Sequence, residues 1–127
     1  MHWYRILIMG IFCCGTGVAL GAFGAHALKA RLSEYALGVF ETGVRYQFYH
    51  GLGLIAIGLL AERLGNATSL TTIAITMFLG IVFFSGSLYI LALSGLKWWG
   101  AVAPIGGLMF IVSWFWLAFK VYRLNLT

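Results

Sequence analysis

Ionisable and hydrogen-bonding side chains gather at one place in a chain that otherwise has few of them. His26 is followed, after a short gap, by Glu41, Arg45, Tyr46, Gln47, Tyr49 and His50. On a helix, Tyr46 and His50 share one face, four residues apart, while Glu41, Arg45 and Tyr49 share another. Such a group could bind a lipid headgroup or a quinone, or pass a proton. It could equally be a hydrogen-bonded tie in which Glu41 pairs with Arg45 and His26 caps a helix C-terminus. The two histidines could in principle hold a haem, but nothing in their spacing asks for one. A zinc site needs three or four good ligands, and the chain offers only these two histidines in place, with no aspartate. No metal, cofactor or catalytic residue is therefore expected.

The surroundings set the terms for that chemistry. Hydrophobic residues make up 62% of the 127 and charged residues 9%, against roughly 25% charged in an average soluble domain. Four apolar stretches, about 6–27, 46–64, 70–94 and 98–122, approach or exceed the roughly 20 residues that cross a bilayer. The expected fold class is all-α, an integral membrane four-helix bundle forming one transmembrane domain over 1–127. The net charge of +5 suits basic residues flanking spans and touching anionic lipid, and gives no reason to expect nucleic acid. Ala25-His26-Ala27 imitates a signal-peptide cleavage site, yet the apolar run before it exceeds a usual signal core and reads as a span.

Between the first two spans, Leu32, Ala36, Val39, Phe40 and Val44 recur at helical spacing, with Arg31, Glu34, Glu41 and Arg45 opposite. This predicts an interfacial amphipathic helix over about 33–45, N-capped by Ser33 and running on into the second span. The chain has 17 glycines and one proline. Inside spans, small residues are positions where helix backbones approach closely. Gly17, Gly21 and Ala25 form such a stripe on the first span, Ser85, Gly86 and Ser87 lie on the third, and Gly106 and Gly107 on the fourth. Cys13 and Cys14 read as small apolar residues. Ser85 and Ser87 lack a base at their depth, so no catalytic serine is expected. Trp3, Tyr4 and Tyr122 mark one interface, Trp98 and Trp99 the other. Flanking positive charges divide evenly, and the expectation of cytoplasmic termini rests on pairing of Arg45 with Glu41.

Four ordered segments carry a resemblance. Ala19–Leu28 (ALGAFGAHAL), Glu41–His50 (ETGVRYQFYH), Phe84–Tyr89 (FSGSLY) and Pro104–Gly107 (PIGG) together are similar to the YgdD-like family of small bacterial inner-membrane proteins, a domain of unknown function. The resemblance covers nearly the whole chain. It implies a four-span protein of the bacterial inner (cytoplasmic) membrane and brings no reaction, ligand or catalytic residue with it. With no complete catalytic constellation, the expected role is that of a non-enzymatic structural or accessory component. Its expected partners are membrane lipids and either further copies of itself or a larger membrane complex. The alternative is a small-molecule, lipid-headgroup or quinone site, or a transport site, at the polar cluster.

Overall fold

The computed structural model of the protein describes residues 1–65 and 68–124. Four long helices account for most of them: α1 (Trp3–Phe23), α2 (Glu34–Arg63), α3 (Thr68–Ser94) and α4 (Ala103–Leu124). A π-helical turn, Gly24–Leu28, extends α1, and a 3-10 turn, Lys97–Ala101, leads into α4. The fold class is the one the composition and periodicity predict.

Contacts at the glycines give the topology. A Cβ on Gly10 would lie 2.7 Å from the Gly51 carbonyl oxygen, and one on Gly58 would lie 2.7 Å from Leu7. Gly24 meets Phe40, so α1 and α2 run antiparallel along their whole lengths. Gly43 meets Tyr89 while Gly53 meets Met77, which sets α3 antiparallel to α2. A Cβ on Gly106 would run into the Phe84 amide nitrogen and lie 2.8 Å from the Gly80 oxygen, so α3 and α4 cross backbone to backbone. The bundle is up-down-up-down, and its helices approach where glycine leaves no side chain in the way. Ile6, Leu54, Ile57, Leu70, Ile73 and Met77 fill the core between these crossings.

Two details refine the sequence expectation. The amphipathic stretch runs on into the second span as predicted, α2 being a single unbroken helix of 30 residues. Ser33 begins it as predicted, its Oγ accepting from the Ala36 amide at 3.1 Å. At about 1.5 Å per residue it is roughly 45 Å long, more than the hydrocarbon thickness of a bilayer. The helix passes through Gly43 without a break, and a Cβ there would stand 2.8 Å from the Tyr89 ring, so the missing side chain makes room for it. Second, three helical stretches are long and apolar enough to cross a membrane by length and composition: Trp3–Leu28, Thr68–Ser94 and Lys97–Leu124. The remaining helix, α2, has the length but is more polar, because Gln47 and His50 sit on its buried face. Helices α1 and α3 cover Gln47, and Phe110 and Trp114 of α4 cover His50.

The ends are conventional. Gly65 (φ 65°) follows α2 and Gly95 (φ 73°) follows α3. The Gly95 amide returns to the Leu91 oxygen at 2.9 Å, the left-handed cap that glycine adopts without strain. Pro104 is the second residue of α4, where a missing amide donor costs little. Trp98 and Trp99 stack at 4.3 Å on the turn before it.

Candidate functional site

The cluster marked by the sequence divides into an inner and an outer part. Gln47 and His50 are buried, 7% and 5% exposed. His26, Glu41, Arg45, Tyr46 and Tyr49 are exposed. His26 stands on the π-helical turn, near the level at which Gly24 meets Phe40. His50 is about ten residues further along α2, roughly 15 Å away along the helix axis. The structure therefore does not bring the two histidines together.

Gln47 joins three helices. Its Nε2 donates to the Cys13 carbonyl oxygen at 3.0 Å and to Thr16 Oγ1 at 2.8 Å, both on α1. Its Oε1 accepts from Tyr89 Oη, on α3, at 2.6 Å. Gly43, one turn earlier, lets the Tyr89 ring lie close against α2, and its carbonyl oxygen accepts from Ser85 Oγ at 2.6 Å. His50 ties α2 to α4. Trp114 Nε1 donates to His50 Nε2 at 3.0 Å, and His50 Nδ1 lies 2.8 Å from the Tyr46 carbonyl oxygen. An indole N–H can only donate, so His50 Nε2 is the acceptor and Nδ1 bears the proton. Phe110 stacks on the imidazole with ring centroids 3.5 Å apart.

The arrangement is closed. Among the described residues no buried side-chain nitrogen or oxygen lacks a hydrogen-bond partner. Ser85 is bonded to Gly43, while Ser87 and Ser113 bond to backbone carbonyls of their own helices, Phe84 and Met109. A hydroxyl held by a carbonyl, with no base beside it, is not an activated nucleophile. Both nitrogens of His50 are in use, so ligating a metal or exchanging a proton would first break an interhelical bond.

The outer part behaves otherwise. Glu41 and Arg45 form no ion pair; Arg45 Nη2 instead donates to Thr42 Oγ1 at 3.3 Å. On an exposed helix face, holding two long side chains in one geometry costs side-chain entropy that a solvated pair barely returns. The argument for cytoplasmic termini from that pairing goes with it. Of the small residues marked by the sequence, Gly17 lies 3.7 Å (by a built Cβ) from Gln47 and Gly106 sits at the α3–α4 crossing. Gly21 and Gly107 are only partly covered, Gly86 has open space beside it, and Ala25 is exposed.

Two open grooves flank the buried network. One, about 630 Å³, lies between α2, α3 and α4, with Tyr46, His50, Phe84, Phe110 and Trp114 in its wall, and contains no charged residue. The other, about 320 Å³, lies between α1 and α2 and includes Arg45. Thr16, Tyr89 and Trp114 were not singled out by sequence reasoning. Their signal was weak but present: a glutamine and a histidine on one face of a membrane helix require partners, and hydroxyl or indole groups on other spans are the available ones.

Comparison with known proteins bears on the whole chain. The family described as a protein of unknown function, DUF423, matches residues 20–107. A UPF0382 membrane protein of Staphylococcus haemolyticus is 45% identical over 117 residues, covering 92% of this chain and 94% of its own. The UPF0382 membrane protein YwdK of Bacillus subtilis is 46% identical over 108 residues, covering 85% and 88%. The UPF0382 inner membrane protein YgdD of Escherichia coli K12 is 38% identical over 120 residues, covering 92% and 91%. No solved structure matches the chain.

Proposed function

The chain belongs to the DUF423 family of membrane proteins of unknown function, and from that premise we propose that it is a non-enzymatic component of the bacterial cytoplasmic membrane that acts by helix packing. The observation that carries this reading is the closure of the polar core. Every buried polar side chain described is spent on another part of the same bundle, and none is held ready for a substrate. A group poised for chemistry would be left unpaired or matched to a reacting atom.

Packing against a partner needs an outward surface. Gly15 on α1 has nothing within 4 Å of where its Cβ would stand, and Ile8, Ile11 and Phe12 are exposed on the same helix. An outward glycine on a span lets a second backbone approach closely. The partner is either another copy of this chain or a larger membrane complex. Crosslinking at native expression, followed by mild-detergent purification and mass spectrometry, tests the reading. A crosslinked assembly that weakens in Gly15→Leu is expected, whereas a monomeric, partnerless chain would overturn it.

A further inference from the structure

The groove between α1 and α2 combines apolar walls, which the larger groove shares, with a charged residue, which the larger groove lacks. Its walls are apolar and shallow, because Gly17, Val18 and Gly21 of α1 stand opposite Val44 and Phe48 of α2. Its one charged lining residue is Arg45, whose hydrocarbon stem forms part of the wall and whose guanidinium lies beyond the apolar lining. That guanidinium is exposed and, among the described residues, has a single hydrogen bond (to Thr42) and no carboxylate within ion-pair reach. Tyr49, one turn along the same face, carries a hydroxyl with no hydrogen-bond partner among the described residues.

Depth completes the picture. Arg45 precedes Arg63, near the other end of α2, by a length of roughly 27 Å at about 1.5 Å per residue. With a hydrocarbon core of about 30 Å, Arg45 stands at the headgroup level of the opposite leaflet. The glycine-walled part of the groove, Gly21 then Gly17, leads from that level toward the bilayer centre. A cation at the mouth of an apolar slot is complementary to a molecule with an anion at one end and a hydrocarbon chain at the other.

We propose that this groove binds one anionic phospholipid, its phosphate on Arg45 and one acyl chain along Gly17 and Gly21. The phosphate takes the guanidinium donors that Thr42 leaves free, a charge-assisted contact that neutral side chains cannot supply. Glu41 is the nearest acidic residue on the helix, one turn before Arg45, and stays unpaired, so it neither neutralises the guanidinium nor blocks it. The site stands independently of the packing role: a chain without protein partners would still select its lipid.

The test uses the full chain in nanodiscs containing equal phosphatidylglycerol and phosphatidylcholine, transferred to mild detergent, with retained lipid counted by native mass spectrometry. The wild type is expected to keep one phosphatidylglycerol, preferred over phosphatidylcholine by about tenfold. Arg45→Ala should abolish the preference, Arg45→Lys should keep part of it, and Gly21→Leu, which fills the slot, should lower retention of either lipid. Arg63→Ala, at the other interface, should change nothing. Equal retention of the two lipids by the wild type overturns the proposal without reference to any variant. So does a preference that survives Arg45→Ala, or displacement by glycerol 3-phosphate alone, which would make the occupant a soluble phosphate.

Discussion

Trp114 donates its indole N–H to His50 Nε2 across 3.0 Å, joining residues 64 apart in sequence. The bond assigns the proton of the imidazole to Nδ1 and thereby directs it at the Tyr46 carbonyl oxygen. One tryptophan decides what the only buried histidine among the described residues can do.

Trp114→Phe keeps a ring in the groove wall but removes the donor. Interhelical hydrogen bonds in membranes contribute about 0.6 kcal/mol on average, and an unsatisfied buried acceptor costs about 1–3 kcal/mol. A loss of about 1 kcal/mol is expected in a thermal melt, with much of it recovered in the double change His50→Phe, Trp114→Phe. If the double variant melts below the single one, the bond is not what sustains this contact.

Gln47→Leu should be the most damaging polar substitution, because it strands the Tyr89 hydroxyl and removes two hydrogen bonds between α1 and α2. We expect a cost of about 2–3 kcal/mol. Adding Tyr89→Phe should then change little, and a double-mutant cycle would show strong coupling between the two positions. Additive losses would mean that the 2.6 Å contact contributes nothing.

The glycines divide by position. Gly106→Ala drives a methyl into the Phe84 amide nitrogen, so α3 and α4 must separate, with an expected loss above about 2 kcal/mol. Gly86→Ala meets nothing within 4 Å and should be neutral or slightly stabilising, by up to about 1 kcal/mol. Denaturation in the same detergent would compare them directly; a large loss at Gly86 would reveal a neighbour, such as a second subunit.

With no Glu41–Arg45 pair to break, Arg45→Ala in delipidated protein should shift stability by less than about 0.5 kcal/mol, and the Glu41→Gln, Arg45→Ala double change should match it. A loss of several degrees in melting temperature, rescued by the double change, would restore the ion pair.

Topology follows from α2 lying antiparallel between α1 and α3. Reporter fusions at Gly65 and at the C-terminal end should report the same side of the membrane, and one at Lys97 the other side. If the Gly65 and C-terminal fusions disagree, α2 does not cross.

Several parts of this molecule were legible before any coordinates. Apolar run length gave the helices, since a bilayer leaves few alternatives for a backbone that must satisfy its own hydrogen bonds. Ser33 was legible as a cap, and the glycine-rich spans as closely packed ones. Glu34, Glu41 and Arg45 showed the polar face of a helix that runs on into the second span, as α2 does to Arg63, but not which residues of its inner face meet which neighbours. Hydropathy sees residue type and not the neighbour that covers it, which is why α2 reads as the weakest span although it is the central one.

What the sequence by itself determined is the solvent and the helices: 62% hydrophobic residues in long runs permit only a membrane bundle. The tertiary structure alone decided the roles within the polar cluster. Gln47 and His50 are neighbours of Tyr46 and Tyr49 in the chain, yet the rotation of α2 turns the first two toward Thr16, Tyr89 and Trp114 and the others outward. Partners 31, 42 and 64 residues away are brought within hydrogen-bonding distance by the backbone crossings at Gly10–Gly51 and Gly80–Gly106. Short-range periodicity carries no information about contacts that arise only when separate helices dock.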